Sequence, residues 1–178
     1  MLKQVLALLA ALNYMLSPMP PPIDLAADLA VKPPEAGIAY LKLSTYISTA
    51  NPRVAGYSVA QVLLDTEAEL GLPPYLLVAI AQVESTFDHR AIGAEGERGL
   101  LQLHPRWHVT PDCAVAHCVT AGTYLSKLLS RFDLHTAIAA YNQGPNRPNP
   151  RSLYVQRVLR AWETIIEWVD RPTVAEPL

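Results

Sequence analysis

Charge of one sign, cysteine and long uninterrupted apolar runs are all scarce in this chain of 178 residues, and each shortage removes a class of function. Fourteen basic against sixteen acidic side chains leave a net charge of −2. A surface that tracks phosphates needs a basic excess, so nucleic acid is not an expected partner. Two cysteines cannot build a disulfide scaffold, although one pair could staple a loop. Charged types make up only 17% and apolar types 51%, which excludes both a disordered tail and a highly charged coiled coil. Strict period-two alternation is nearly absent as well, and apolar residues recur instead at three- and four-residue intervals. The expectation is one all-α domain of ordinary size with a modest appendage.

The appendage comes first. Lys3 precedes a mostly apolar run from Val5 to Leu16, so residues 1–16 have the charged start and apolar core of an export signal or membrane anchor. The run is short for a membrane span, and no small-x-small cleavage site follows it. Residues 17–35 then hold six of the sixteen prolines, a density that suits an extended linker. Residues 36–170 form the helical domain and 171–178 a tail. Within the domain, Ser58 is a candidate N-cap for a helix over Val59–Leu70 that Gly71 would stop. Pro73 and Pro74 suit the first turn of a helix over Tyr75–Glu84 that is apolar almost all round. Further helices fit Cys118–Phe132, Leu134–Asn142 and Ser152–Trp168.

Composition does not explain Glu84. The run Leu76-Leu77-Val78-Ala79-Ile80-Ala81-Gln82-Val83 delivers a carboxyl group to the end of the most apolar helix in the chain. Apolar surroundings and the negative end of a helix dipole both favour the protonated form, which is what a general acid requires. A surface glutamate at a fraying helix end is the plainer alternative. Downstream, Gly93, Gly96 and Gly99 permit backbone conformations and close ligand approach that side chains would block, and Leu100-Leu101-Gln102-Leu103 follows. Later, Ala140-Tyr141-Asn142-Gln143-Gly144-Pro145 ends a helix with a phenol and an amide before a glycine turn.

Glu84-Ser85, Gly96-Glu97-Arg98-Gly99-Leu100-Leu101-Gln102-Leu103 and Ala140-Tyr141-Asn142-Gln143-Gly144-Pro145, with Tyr154 beyond, together resemble the lytic transglycosylase domain of the soluble-transglycosylase type, related to goose-type lysozyme. The likeness covers about residues 57–162. It implies a lysozyme-like all-α fold that cleaves the bond between N-acetylmuramic acid and N-acetylglucosamine in peptidoglycan glycan strands, without a cofactor. By the same resemblance Glu84 would be the single acid and base, Ser85 would shape its surroundings, and Tyr141 would hold it. Gln102 would face the glycan, Asn142 would contact substrate, and Tyr154 would close the cleft. Ser85 as a local cap and Tyr154 as packing are the alternatives. The family pattern commonly has methionine where Leu101 stands, and smaller residues where Glu97 and Arg98 stand. Glu97, Asp88 or Glu95 as a second carboxylate would instead make the protein a hydrolysing lysozyme. A wall-binding subunit without activity, in a secretion or phage machine, is the rival from another class. Such enzymes serve wall turnover, secretion, conjugation and phage machinery, and face the wall from the periplasm or a membrane anchor.

Cys113 and Cys118 flank a short segment, and a disulfide between them would staple it if the protein leaves the cytoplasm; two free buried thiols are the alternative. No standard zinc spacing accompanies His104, His108 and His117, so no metal is expected. Trp107 follows the glycine-rich stretch, where an indole could stack on a sugar or pack. Trp162 and Trp168 fall on the last helix and read as core or as a seam.

Overall fold

The computed structural model describes residues 34–172 except Asp112; the signal-like residues 1–16, nearly all of the proline-rich linker and residues 173–178 lie outside the described residues. Six helices follow one another: α1 (Pro34–Ala50), α2 (Gly56–Leu70), α3 (Leu76–Ser85), α4 (Ala114–Leu129), α5 (Leu134–Gln143) and α6 (Leu153–Asp170). Among the described residues there is no sheet, only isolated bridges, in keeping with an all-α, lysozyme-like architecture.

Each helix buries one stripe. In α1 the stripe is Tyr40, Leu43 and Ile47, and in α6 it is Val155, Val158, Ala161, Ile165 and Val169. Both follow the three-four spacing of an amphipathic helix. α3 differs, because six successive residues from Leu76 to Ala81 are buried. It packs against α2 on one side and α6 on the other, while α4 bridges α2 to α5. Trp162 donates its indole N–H to the Pro74 carbonyl at 2.7 Å, and Trp168 donates to the Lys42 carbonyl at 3.1 Å. Both tryptophans therefore tie α6 to neighbouring segments of its own chain.

The N-terminal cap differs from expectation at α2. α2 begins three residues before Val59, after Ala55, so Ser58 lies inside the helix and caps nothing. α5 and α6 do carry side-chain caps, Asp133 accepting from the Thr136 N–H and Ser152 from the Val155 N–H. α3 stops abruptly. Thr86 and Phe87 both take left-handed conformations, at φ of 52° and 65°, which cost about 1 kcal/mol each for residues with a Cβ. Phe87 is fully buried and meets Tyr46 edge-on at 6.4 Å, a burial that contributes roughly 2 kcal/mol or more in return. That stop leaves Glu84 one residue from the helix end.

Between α3 and α4 the chain folds back on itself in short antiparallel passes. Ile92 pairs with Arg98 and Arg98 with Leu103. The Gly93 N–H bonds the Glu97 carbonyl at 2.8 Å, and the Gly99 N–H bonds the Ala91 carbonyl at 2.9 Å.

Candidate active site

Glu84 faces α6, where Tyr154 donates its phenolic O–H to Oε1 at 2.6 Å. Burial pushes the carboxyl up to about 7; the Tyr154 hydrogen bond pulls it down, the Glu97 charge pushes it up, and Arg157 pulls it down. The apolar surroundings dominate, and a proton is retained near neutrality. Arg157 lies three residues after Tyr154 on the same helix, so one short stretch of α6 supplies both restraining groups. A groove of about 620 Å³ opens beside the acid, within the roughly 300–1,000 Å³ range of small-molecule clefts. Its walls include Glu97, Gln102, Trp107, Tyr141 and Asn142.

Tyrosine roles are exchanged relative to expectation. Tyr141 does not hold the acid; its phenol donates to the Leu101 carbonyl at 2.9 Å, and Tyr154 holds Glu84. The reason is helical placement: Tyr141, near the end of α5, reaches the glycine-rich loop, whereas Tyr154 is the second residue of α6, which packs along α3. Ser85 donates to the Leu100 carbonyl at 2.8 Å, with the Ala81 carbonyl at 3.2 Å. It thus ties the end of α3 to the loop and is more than a local cap. The Leu101 N–H points to Nε2 of buried His117 at 3.4 Å. Leu100 and Leu101 are core residues, so this turn is held by side chains below it and by hydrogen bonds from three helices. Gly99 makes the approach possible, since a Cβ there would meet the His117 ring at 2.8 Å and its φ is 76°.

Gln102 borders the groove at a positive φ of 46°, but its amide N–H₂ is committed to the Gly99 and Ala91 carbonyls at 2.8 and 3.2 Å. It therefore shapes the wall and does not offer those donors to a glycan. Asn142 is exposed on the groove side. Of the other acids, Glu95 and Glu97 line the groove, with Glu97 accepting the Glu95 N–H at 3.1 Å. Asp88 is occupied with the Arg90 N–H at 2.8 Å. Trp107 is 70% exposed on the groove rim with the Arg106 guanidinium 4.9 Å from its ring.

The anticipated disulfide is absent: Cys113 and Cys118 are free thiols. Cys113 is the exposed residue preceding α4, whereas Cys118 is buried one turn inside it. Burial, with the nearby Cys113 second, pushes the Cys118 thiol up to about 12, so it stays a protonated thiol. His117 spends the lone pair of Nε2 on the Leu101 N–H, and among the described residues no three His, Cys, Asp or Glu side chains gather as a metal site.

Three further residues had no role in the sequence reading. Tyr124 and His108 meet at a tilt of 58° with ring centroids 4.5 Å apart, and Tyr124 lies 5.7 Å from Tyr141, forming an aromatic side of the groove. Glu67 is the third. It is 3% exposed, and its carboxylate accepts the N–H groups of Tyr75, Leu77 and Val78 at the start of α3. Its signal was available, since Ala60, Leu63 and Glu67 share one face of α2 at three-four spacing.

A half-buried acid beside a groove, set on an all-α scaffold with a glycine-rich wall, is in keeping with a domain of the lysozyme-like class. The family model of the transglycosylase SLT domain matches residues 62–109, which run from within α2 through α3 and the glycine-rich loop. An SLT-family transglycosylase domain is thus present over that part of the chain, and its activity is lytic transglycosylation of peptidoglycan. Tyr141, Asn142 and Tyr154 lie beyond the matched segment.

Proposed function

We propose that this domain cuts peptidoglycan between N-acetylmuramic acid and N-acetylglucosamine, with Glu84 as its only acid and base. The observation that carries the reading is a half-buried carboxyl with a pKa near 7 that faces a sugar-sized groove. Protonated Glu84 gives its proton to the bridging oxygen as the glycosidic bond breaks. The carboxylate then takes the proton from the C6 hydroxyl of the muramic acid while that oxygen bonds to the anomeric carbon, leaving a 1,6-anhydro end. The substrate's own acetamido group stabilises the positive centre, so no second carboxylate is required, in contrast to the two-carboxylate scheme.

A hydrolytic reading draws on Glu97, which lines the same groove and raises the Glu84 pKa. Digestion of purified cell walls with mass analysis separates the two. The anhydro product is one water lighter than the hydrolysis product and has no reducing end. Release of reducing, hydrated ends by the wild type would overturn the lytic reading.

The wall lies outside the cytoplasm, so this reading brings export with it, and the Lys3 and Val5–Leu16 pattern supplies the signal or anchor. Among the described residues no helix is long and apolar enough to cross a membrane.

A further inference from the structure

We propose that Glu67 is a positioning residue for Glu84, acting through the helix that lies between them; the inference rests on the reading of Glu84 as the acid. A helix leaves its first four N–H groups without intrahelical partners, and the residue just before it usually caps them. α3 cannot be capped that way. Tyr75 precedes it at a φ of 65° and supplies no side-chain cap, and Pro73 and Pro74 come immediately before. Glu67 supplies the cap from the neighbouring helix. Its Oε1 accepts from Leu77 at 2.6 Å and Val78 at 3.2 Å, and its Oε2 accepts from Tyr75 at 2.7 Å. The ionised form uses all three donors at once and also suits the positive end of the helix dipole. Burial pushes its pKa up to about 7 while those N–H bonds hold it down.

The consequence reaches Glu84 because α3 is short and apolar. Ten residues rise only about 15 Å, so a displacement at one end is delivered to the other. Leu76 to Ala81 pack without a polar contact that would set where the helix lies along its own axis, and apolar contacts tolerate small slides. Directional bonds fix that register: Glu67 holds the start, the Tyr46 O–H donates to Gln82 Oε1 at 2.8 Å further along, and Ser85 with the Tyr154–Glu84 pair holds the finish, so Glu67 alone anchors the N-terminal half. Releasing the first latch lets the acid drift relative to Tyr154 and the groove, and small misplacements of a reacting group are costly in rate.

Glu67→Gln tests this, since it keeps the shape and one carbonyl oxygen but sets an N–H₂ against the Tyr75 N–H. The assay is cleavage of purified cell walls, with melting temperature measured alongside. Leu43→Ala, a core change in α1, serves as the control for stability alone. The expected result is a fall in kcat of tenfold or more for Glu67→Gln with KM within twofold. Leu43→Ala, at a comparable loss of melting temperature, should keep kcat within twofold. Glu67→Asp, which retains the charge but withdraws it by one methylene, should fall between Glu67→Gln and wild type, and it decides the matter by the same measures if Glu67→Gln does not fold. A kcat within twofold of wild type in the folded Glu67 variant, or an equal loss in Leu43→Ala, overturns the inference. Cleavage surviving in Glu84→Gln would instead overturn the reading of the acid. A dead Glu84→Gln beside an unaffected Glu67 variant sinks the positioning role alone.

Discussion

A glutamate stands at each end of α3, buried Glu67 of α2 at its start and half-buried Glu84 at its finish; burial raises the pKa of each from 4.5 to about 7, yet the two carboxyls are surrounded oppositely. Glu67 sits at the helix start, where three backbone N–H groups and the positive dipole end answer a negative charge. Glu84 sits at the helix finish, where one phenol donates to it, a second acid adds its charge, and the dipole end is negative. Equal acidity therefore conceals unequal use. Glu67 is placed to accept backbone N–H groups, and Glu84, in the proposed reading, to lose and regain a proton. A shifted pKa identifies a candidate, and the donors around it decide its role.

The largest effect that sharpens this contrast is Glu84→Gln. An amide cannot protonate a leaving oxygen, so cleavage should fall by roughly 10²–10⁴-fold or more while glycan binding persists, measured by wall digestion and by pull-down on intact walls. Retained cleavage would mean that the acid is elsewhere. Tyr154→Phe should come next, with kcat down about tenfold. Removing that O–H also removes an influence that lowers the Glu84 pKa, so the alkaline fall of activity, expected near pH 7 in the wild type, should move to higher pH. Tyr141→Phe breaks a bond to the Leu101 carbonyl and should leave that limb in place. If both variants shift it equally, the assignment of the two phenols is wrong.

Much of this was legible from residue types alone. The five helices delimited from periodicity appear, α4 starting four residues earlier than expected at Ala114, because a stripe of apolar side chains has one way to be buried; α1 was covered only by the general helical pattern from residue 36. α3 and its terminal acid stood out because six apolar residues in succession are unusual beside Val155, Val158 and Ile165, spaced for one face of α6. The exchange of Tyr141 and Tyr154 was not legible, since only the packing of α6 along α3 selects which phenol meets the carboxyl. Gln102 lines the groove, and what its residue type did not reveal is that a glutamine beside glycines also serves the loop: the Gly99 and Ala91 carbonyls take its N–H groups. Glu67 was hidden in plain sequence, as an acid among the Asp65, Glu67 and Glu69 of α2 whose buried phase alone sets it apart.

Stability against pH gives a smaller and more general probe. Each acid has a folded-state pKa above its unfolded value, so between about pH 4.5 and 7 the folded chain binds more protons than the unfolded one. The contribution of these two acids to stability should then be fullest below pH 4.5 and be lost as pH rises towards 7. Glu84→Gln removes one of the two contributions. Measured by denaturant unfolding, it should be more stable than wild type by about 2 kcal/mol at pH 8 and nearly equal at pH 4, discounting for partial exposure of the group. A variant less stable than wild type at pH 8 would show that the Tyr154 bond outweighs the burial cost, and the picture of a strained proton donor would fail.

The smallest effect concerns what holds the loop to the acid's helix. Ser85 places its hydroxyl on the Leu100 carbonyl, the bond that joins the end of α3 to the groove wall. Ser85→Ala leaves that buried carbonyl without its side-chain donor and should cost about 1 kcal/mol. Because Tyr141 and His117 still pin Leu101, the wall should keep its place, and kcat should fall less than in Tyr154→Phe. Denaturant midpoints and wall digestion on the same preparations check both halves. A loss of activity as large as that of Tyr154→Phe, with the stability change small, would place Ser85 in direct service of the carboxyl and would narrow the difference between the two ends of the helix.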